Sequence, residues 1–331
     1  MFDVAQENAP LLNAIGLKKY YPVKKGMFAK TQQVKALDGV SFSLERGKTL
    51  AVVGESGCGK STMGRSVLRL LEPTDGQVLF EGKDYTALKS SELAKSRSDL
   101  QIIFQDPYAS LDPRMTIGDI IGEPLDIQLK LPAKERMERV LKTMERVGLN
   151  TRYVNRYPHE FSGGQRQRIG IARAIVLGPK LMVCDEPVSA LDVSVQAQVL
   201  NLLMDLQKEM GMAYIFISHD LSVIKHISNR IMVMYLGHVV ELADKDDLYK
   251  RTMHPYTTAL LSAIPVPDRK HKKEKIVLEG DLPSPANPPS GCVFHTRCYK
   301  AQEICKTQVP ELRDCGNGHC CACHFPENQP E

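Results

Sequence analysis

The feature that most constrains this chain is a glycine-rich segment at residues 54–62, between an apolar run at 50–53 and an amphipathic stretch at 61–71. Its glycines let backbone N–H groups curl around an anion, and the start of a following helix adds the positive end of the helix dipole. A strand, such a loop and a helix in this order predict an α/β fold that binds phosphate groups. The segment consists of Gly54, Glu55, Ser56, Gly57, Cys58, Gly59, Lys60, Ser61 and Thr62.

Two side chains of this segment have chemistry that suits a nucleoside triphosphate. Lys60 is expected to reach the β- and γ-phosphates, and Ser61 is expected to offer its hydroxyl to Mg²⁺. Cys58 occupies a variable position of the pattern, and we interpret it as a small filler. The segment therefore predicts a site for ATP and Mg²⁺.

Asp185 and Glu186 form a second candidate site, directly after the apolar run at residues 181–184. Asp185 is expected to hold Mg²⁺, and Glu186 to polarise the attacking water or to accept its proton during phosphoryl transfer. Strands that end in acidic residues are also common at protein surfaces. The functional interpretation therefore depends on the presence of the phosphate-binding segment in the same chain.

Short apolar runs alternate with amphipathic stretches from about residue 37 onward, which is typical of an α/β domain. Two of the runs, 181–184 and 213–218, are apolar almost throughout, as expected for parallel strands that helices cover on both faces. Between these two runs, apolar residues recur at three- and four-residue steps, so we predict a helix that Asp192 caps and Gly211 ends. The strand candidates are residues 49–53, 101–104, 181–184 and 213–218.

A second helix start suited to an anion lies where Ser162, Gly163, Gly164 and Gln165 open a long helical pattern. One bound nucleotide needs only one such helix start. The economical interpretation is that this one faces the γ-phosphate of ATP on another subunit, so that two chains hold two ATP molecules between them. These four residues resemble the signature motif of ATP-binding-cassette (ABC) ATPases, and the other motifs follow in the order of that family.

The resemblance to ABC ATPases covers residues 12–261 and implies roles for three further residues. Tyr21, or Tyr20 if the register differs by one, resembles the aromatic residue that stacks on adenine. Gln105 is similar to the glutamine that contacts Mg²⁺ and the attacking water, in a loop that contacts the membrane subunits. His219 stands in the place of the histidine that binds the γ-phosphate and steadies Glu186.

The same resemblance implies an architecture. It is that of a P-loop NTPase, an α/β RecA-like core with an antiparallel β subdomain and a helical subdomain at about residues 106–160. The helical subdomain would include a helix at 135–147 and carry the signature motif. Residues 189–192 resemble the loop that crosses the dimer interface in this family.

The net charge of the chain excludes little by itself. The 43 Lys and Arg residues exceed the 39 Asp and Glu residues by four, a surplus too small to argue for a nucleic-acid partner. No window approaches the roughly 18 consecutive apolar residues of a membrane span, and residues 1–12 lack the order of a signal peptide. We therefore expect the chain to work in the cytosol.

The composition changes after Ser262, since residues 264–290 hold six prolines and a basic run at 269–275. We interpret this run as a solvated linker rather than a membrane-surface or nucleic-acid patch, because Asp268 and Glu274 break up the positive charge. The predicted divisions are a nucleotide-binding domain at 1–263, a Pro-rich linker at 264–290 and a Cys-rich extension at 291–331.

The cysteines are concentrated in this extension, where residues 292–323 contain seven of the nine. In a cytosolic chain such clustering favours metal or iron–sulfur ligation over disulfides. The pattern around these cysteines resembles the C-terminal extension of dipeptide and oligopeptide importer ATPases. Within that family, residues 17–26 are most similar to the second ATPase subunit of dipeptide importers.

This resemblance implies a [4Fe–4S] cluster held by Cys292, Cys298, Cys305 and Cys323, since four thiolates are the usual ligand set. Three additional cysteines leave the fourth ligand open. A tetrahedral Zn²⁺ site would use the same four thiolates, or three of them with His319 or His324, and the sequence does not separate the two metals. The additional cysteines are Cys315, Cys320 and Cys321.

The resemblance implies an ATP-hydrolysing subunit of a dipeptide or oligopeptide importer, attached peripherally to the cytoplasmic face of the inner membrane. Its expected partners are a second ATPase subunit in a heterodimer, two integral membrane permeases and a periplasmic peptide-binding protein. Importers of nickel or of a haem precursor share the pattern. Two competing functions are those of a soluble ABC ATPase that acts on nucleic acid or ribosomes, and of a metal-binding scaffold that binds ATP without turnover.

Overall fold

The structure is a computed structural model that describes residues 9–23, 32–264 and 275–329. Residues 269–274 of the predicted basic linker run at 269–275 lie outside the described residues. The strands, in chain order, are β1 Leu12–Val23, β2 Gln32–Leu44, β3 Thr49–Val53, β4 Asp75–Phe80, β5 Lys83–Asp84, β6 Leu100–Ile103, β7 Leu181–Asp185, β8 Ala213–Ile217, β9 Arg230–Tyr235, β10 His238–Asp244, β11 Arg313–Asp314 and β12 Cys320–Cys321.

Helices separate many of these strands along the chain. In chain order they are α1 Lys60–Val67, α2 Ser90–Ser96, α3 Pro107–Ser110, α4 Ile117–Gln128, α5 Ala133–Arg146, α6 Gly163–Ile175, α7 Val193–Met210, α8 Leu221–Ile227, α9 Lys245–Lys250, α10 Pro255–Ser262 and α11 Glu303–Thr307. Short 3₁₀ turns occur at Thr151–Tyr153, Pro158–Glu160 and His295–Arg297.

The chain forms two compact units, each assembled from separate stretches of sequence. Of the described residues, the first unit contains 9–11, Leu44–Lys48 and Ala87–Ile217. The second contains the described residues of Leu12–Ser43, Thr49–Thr86 and 218–329, so the cysteine-rich extension belongs to the same unit as the phosphate-binding segment.

The first unit is built on three parallel strands. β7 pairs with β6 on one side, Leu100 opposite Leu181, and with β8 on the other, Leu181 opposite Ala213. All residues of β7 and β8 are buried, as the apolar runs predict for parallel strands covered on both faces. α4 packs against both α5 and α6.

The second unit contains two sheets. In one of them the strand order is β2-β1-β4-β5, with β1 and β4 antiparallel. In the other, β3 pairs in parallel with β9, and β9, β10, β12 and β11 follow as antiparallel neighbours. β12 and β11 come from the cysteine-rich extension, so that part of the chain continues a sheet that contains β3.

The predicted strands are confirmed to within one or two residues, and the predicted helix after Asp192 is observed as α7. Gly211 ends α7 in the left-handed conformation with φ 67°, as its position predicts. Asp192 occupies the predicted N-cap position, although its side chain accepts no capping hydrogen bond there. The buried face of α7 consists of Val199, Leu200, Leu203 and Leu206.

Among the helices of the described residues, none combines the length and the apolar composition that a membrane crossing requires.

Candidate nucleotide site and cysteine cavity

The shape of the phosphate-binding segment, between β3 and α1, depends on two glycines. Gly54 and Gly59 have φ angles of 149° and 104°, which residues other than glycine rarely adopt. A Cβ atom would lie 2.2 Å from the carbonyl oxygen of Met234 at the first position and 2.3 Å from that of Ala36 at the second. Backbone therefore approaches the segment so closely that only glycine fits at these positions.

Lys60 begins α1 and is buried, with only 5% of its surface exposed. Its Nζ donates to the carbonyl oxygens of Gly54 at 2.8 Å and of Glu55 at 3.0 Å. These two acceptors offset the cost of burying an ammonium group and hold it across the loop. Cys58 is buried beside it, and burial raises the pKa of its thiol, in agreement with the interpretation of Cys58 as a filler.

The two candidate adenine-stacking residues, Tyr20 and Tyr21, lie in β1 with different surroundings. The Tyr20 hydroxyl donates to the Asp38 carboxylate, and burial together with this hydrogen bond raises the pKa of Tyr20 to about 12. The Tyr21 ring is half-buried, with the Lys19 ammonium 5.1 Å from its centre. The Tyr20 hydroxyl is therefore occupied by a contact between two strands of the sheet. The Tyr21 ring contacts a cation through its face, the same face that could stack on a planar group.

His219 lies in the second unit, in the short exposed stretch that precedes α8. The preceding residue, Ser218, donates its N–H to the carbonyl oxygen of Val52 at 3.2 Å, so this stretch begins beside the end of β3. Asp220 then caps α8 by accepting from the N–H of Ser222 at 2.7 Å. His219 is thus fixed on both sides, close to where the phosphate-binding segment starts.

The carboxylates predicted to handle Mg²⁺ and water lie in the first unit. Asp185 ends β7 and is buried with 1% exposure, and Glu186 follows it with a left-handed φ of 49°. Such a φ is uncommon outside glycine and is often found at functional sites. Gln105, beyond the end of the parallel neighbour β6, donates from Nε2 to Glu186 Oε2 at 3.0 Å. The structure therefore brings Gln105 and Glu186 together. Each follows one of the parallel strands β6 and β7, which end at the same edge of the sheet.

Ser162 and Gln165 form reciprocal hydrogen bonds at the start of α6. The N–H of Gln165 donates to Ser162 Oγ at 3.4 Å, and the N–H of Ser162 donates to Gln165 Oε1 at 3.0 Å. This reciprocal arrangement is a capping box, which satisfies two backbone donors at the helix start. Gly163 and Gly164 occupy the first two helical positions, so the predicted helix start is confirmed.

Four thiols of the second unit line one cavity, together with the aromatic rings of Phe294 and Phe325. Burial raises the pKa of the thiols of Cys292 and Cys298, and it raises that of Cys323 to about 11. The structure brings these thiols together from four separate positions between residues 292 and 323. They are the thiols of Cys292, Cys298, Cys305 and Cys323.

The three additional cysteines do not line this cavity. Cys315 and Cys321 are buried against Met253, and Cys320 is half-exposed. All nine cysteines lie within the described residues, and none of them forms a disulfide there. Across those residues, no set of three or more His, Cys, Asp or Glu side chains converges closely enough to hold a single metal ion.

His319, a candidate zinc ligand, is instead a buried link between two carboxylates. Its Nε2 lies 2.7 Å from Glu241 Oε1, and its Nδ1 lies 2.7 Å from Asp247 Oδ2. Burial opposes a charge on the ring, but the hydrogen bonds to the two carboxylates outweigh it and raise the pKa of His319 above its ordinary value. Both ring nitrogens are occupied, so the alternative zinc site that includes His319 does not form here.

We expect this link to make stability depend on pH. A raised histidine pKa gives stabilisation that is complete below the ordinary value of about 6.5 and is lost as the pH rises through the raised value. At pH 6, His319→Gln should lower the free energy of unfolding by about 3 kcal/mol, because it leaves the buried Glu241 carboxylate without its charged partner. At pH 9 the loss should be smaller.

Urea unfolding at both pH values measures this dependence, with His226→Gln, a substitution at an exposed histidine of α8, as the control. Equal losses for His319→Gln at pH 6 and pH 9 would show that the His319 charge contributes nothing.

Sequence reasoning missed three residues that contact Glu55 or support that contact: Tyr256, Phe294 and Arg297. The N–H of Glu55 donates to the Tyr256 hydroxyl at 2.9 Å, and Arg297 Nη1 donates to Glu55 Oε2 at 2.8 Å. Arg297 is 242 positions from Glu55 in the sequence, so no local pattern could reveal the contact. Its place between two cysteines of the cavity was the one available signal.

Comparisons with known proteins identify the family to which the chain belongs. A family described as "ABC transporter" matches residues 37–189, and one described as "Oligopeptide/dipeptide transporter, C-terminal region" matches residues 240–305. The dipeptide transport ATP-binding protein DppF of Haemophilus influenzae is 59% identical over 98% of this chain and 99% of its own length. The oligopeptide transport ATP-binding protein AppF of Bacillus subtilis is 55% identical over 97% of this chain and 99% of its own.

Solved structures show the same fold at lower identity. The dimeric post-hydrolysis structure of the ATP-binding cassette MJ0796 bound to ADP and Pi is 29% identical, with a TM-score of 0.63 over 71% of this chain and 98% of that one. The structure of cbiO1 from Clostridium perfringens, part of an ABC transporter complex, is 27% identical, with a TM-score of 0.63 over 73% of this chain and 91% of that one. The chain therefore belongs to the ABC transporter family, among the ATP-binding proteins of its dipeptide and oligopeptide transporters.

Proposed function

We propose that the chain binds and hydrolyses ATP to drive the import of dipeptides or oligopeptides through partner membrane proteins. The observation that carries this proposal is the 59% identity to a dipeptide transport ATP-binding protein over 98% of the chain. The similarity includes the region after residue 240, which matches the C-terminal region of oligopeptide and dipeptide transporters. This supports a peptide cargo over nickel or a haem precursor.

In this proposal, the second unit binds the triphosphate. The segment at 54–62 wraps the phosphates with backbone N–H groups, and the Lys60 ammonium leaves its carbonyl partners to contact the β- and γ-phosphates. Ser61 offers its hydroxyl to Mg²⁺, Tyr21 stacks on adenine and His219 contacts the γ-phosphate. The buried position of Lys60 and the glycine-dependent shape of the loop support these roles.

Three residues have proposed roles in hydrolysis. The Asp185 carboxylate would hold Mg²⁺, and Glu186 would accept the proton of the attacking water as that water bonds to the γ-phosphorus and the bond from this phosphorus to the bridging oxygen breaks, which releases ADP. Gln105 would orient the same water and offer its amide oxygen to Mg²⁺. Its hydrogen bond to Glu186, at 3.0 Å, supports a joint role for the two side chains.

A second ATPase subunit would complete the nucleotide sites. Ser162 to Gln165 then face the γ-phosphate of ATP bound to the partner, and ATP draws the two subunits together, most simply as a heterodimer. The helix start of α6, with glycine at its first two positions, suits close approach by an anion. Hydrolysis at Glu186 reopens the pair.

Transport requires partners that cross the membrane. We infer that two permease subunits hold the chain at the cytoplasmic face of the inner membrane and receive the closing motion through the loop around Gln105. Peptide is selected by a periplasmic binding protein and does not contact this chain.

The chemistry of the thiols that line the cysteine cavity supports a [4Fe–4S] cluster as the proposed ligand. Four thiols line it, which matches the usual Cys₄ ligand set, and Cys323 is the fourth of them. The three additional cysteines lie elsewhere, which supports Cys323 over Cys315, Cys320 or Cys321 as the fourth ligand. When bound, such a cluster would cross-link separate parts of the extension, a structural role, because ATP-driven transport needs no redox step. Zn²⁺ on the same thiolates is the competing assignment.

The transport assignment is tested by isolating the chain from membranes in mild detergent and identifying its companions by mass spectrometry. We expect two integral membrane proteins and a second ATPase in stoichiometric amounts, and ATP hydrolysis that peptide-loaded binding protein stimulates. Isolation with ribosomes or DNA, and with no integral membrane protein, would contradict the proposal. Stimulation by a nickel-loaded binding protein instead of a peptide-loaded one would correct the cargo.

A further inference from the structure

Glu55, the second residue of the phosphate-binding segment, is held through each of its polar groups. Its N–H donates to the Tyr256 hydroxyl at 2.9 Å, and its carbonyl oxygen accepts from Lys60 Nζ at 3.0 Å. Its carboxylate forms an ion pair with Arg297, Nη1 to Oε2, at 2.8 Å. Lys60 lies within the segment, whereas Tyr256 and Arg297 come from more than 200 positions later in the chain.

The ion pair between Arg297 and Glu55 is largely shielded from water. The Arg297 side chain is 10% exposed and that of Glu55 is 27% exposed. Burial alone would lower the pKa of Arg297, but the interactions with Glu55 and Tyr235 together outweigh it and raise the pKa above the ordinary value. In such surroundings, removing one partner leaves the other charge poorly compensated, which costs far more than breaking an exposed pair.

Arg297 belongs to the cysteine-rich extension and directly precedes Cys298, one of the thiols that line the cavity. A 3₁₀ turn at His295–Arg297 fixes its backbone, whose N–H donates to the carbonyl oxygen of Phe294 at 3.0 Å. Phe294 is fully buried and lines the same cavity. The position of Arg297 is therefore set by the fold around the cysteines.

Phe294 gives the extension a second route to Glu55. Its ring centre lies 5.3 Å from that of Tyr256, whose hydroxyl holds the Glu55 N–H, and 5.2 Å from that of Tyr235. Such aromatic pairs restrict one another's orientation. The extension thus contacts Glu55 directly through Arg297 and supports the other contact through Tyr256.

We propose that Arg297 is a positioning residue of the nucleotide site, and that through it the fold of the cysteine-rich extension sets the affinity for ATP. The inference rests on the proposed function, because it assigns to Arg297 the geometry of the segment that binds the triphosphate. Without Arg297, the Glu55 carboxylate loses its anchor and the N–H groups at 54–60 lose their fixed directions. ATP binding then has to order the loop, which weakens affinity without touching the hydrolytic groups.

Steady-state ATPase kinetics and amide hydrogen exchange on the complete transporter test this proposal. For Arg297→Ala we expect KM for Mg-ATP to rise about tenfold and kcat to stay within about twofold, since the lost interaction serves binding. Amides at 54–60 should exchange about tenfold faster in the absence of nucleotide, because local opening costs less. Arg297→Lys, which keeps the charge, should restore KM to within about threefold of wild type.

A double-mutant cycle separates positioning from a general loss of structure. If Arg297 acts through Glu55, adding Arg297→Ala to Glu55→Ala should change KM by less than about twofold. The matched control is Lys306→Ala, which breaks an exposed pair with Glu303 in the same extension and should leave both readouts at wild-type values.

Three results would overturn the inference. They are an unchanged KM and exchange rate in Arg297→Ala, additive effects in the double mutant, and failure of Arg297→Lys to restore KM. In each of these cases the proposed function would still stand, provided that the wild-type transporter hydrolyses ATP. A wild-type transporter that neither binds nor hydrolyses ATP would instead refute the proposed function, and this inference with it.

Discussion

Replacing Glu186 with glutamine is expected to lower kcat for ATP hydrolysis about 10³-fold, because the variant loses the general base of the reaction. Glutamine has the shape of glutamate and still offers an oxygen to Gln105 Nε2, which lies 3.0 Å from the native carboxylate. The local geometry, including the left-handed backbone at this position, should therefore persist. ATP binding should remain close to wild type, and the ATP-bound dimer should accumulate.

Single-turnover hydrolysis and equilibrium binding of ATP, measured on the transporter with its membrane partners, check this expectation. Glu145→Gln, which makes the same change at an exposed position of α5, is the matched control and should hydrolyse ATP normally. Wild-type turnover in Glu186→Gln would remove Glu186 from its proposed role. Loss of ATP binding together with turnover would show that Glu186 supports the fold of the site rather than the reaction.

The second large effect is expected at the cysteine cavity. Anaerobically purified protein should contain about four iron and four labile sulfide atoms per chain, as a [4Fe–4S] cluster requires. Cys323→Ser should reduce both to near zero, because it leaves three of the four thiols that line the cavity. Iron and sulfide analysis measures the result without reference to ATPase activity.

Cys320→Ser is the matched control, since Cys320 is only three positions away, half-exposed and outside the lining of the cavity. It should keep the full iron and sulfide content. Stoichiometric zinc without iron in the wild-type protein would refute the cluster and favour a zinc site. Iron retained in Cys323→Ser but lost in Cys320→Ser would show that the fourth ligand has been wrongly assigned.

Those parts of the site whose chemistry is local in sequence could be predicted. The phosphate-binding segment is recognisable because glycines, a lysine and a hydroxyl must follow one another within nine residues to wrap a phosphate chain. The approach of Gln105 to Glu186 could also be anticipated, since both follow neighbouring parallel strands. Buried parallel strands have long apolar runs, which is why β7 and β8 were located almost to the residue.

The remaining features depend on contacts between distant parts of the chain. Nothing around Arg297 indicates that it pairs with a residue 242 positions earlier, because that contact exists only once the extension has folded together with the rest of the second unit. Seven clustered cysteines do not show which four share a cavity, since spacing in sequence does not define direction in space. His319 looked like a metal ligand for the same reason, and its two carboxylate partners lie more than 70 positions away.

The cysteine-rich extension supplies β12 and β11 at one edge of a sheet, where another polypeptide could otherwise pair. β12 pairs with Glu241 and Leu242, two of the seven residues of β10, and β11 follows β12; each of these two strands has only two residues. A long exposed edge strand would offer a row of unpaired N–H and C=O groups on which another polypeptide could add a strand. A two-residue strand offers too few such groups to serve as a template. By pairing with part of β10, the cysteine-rich extension therefore shortens the length of edge that this sheet offers to another strand.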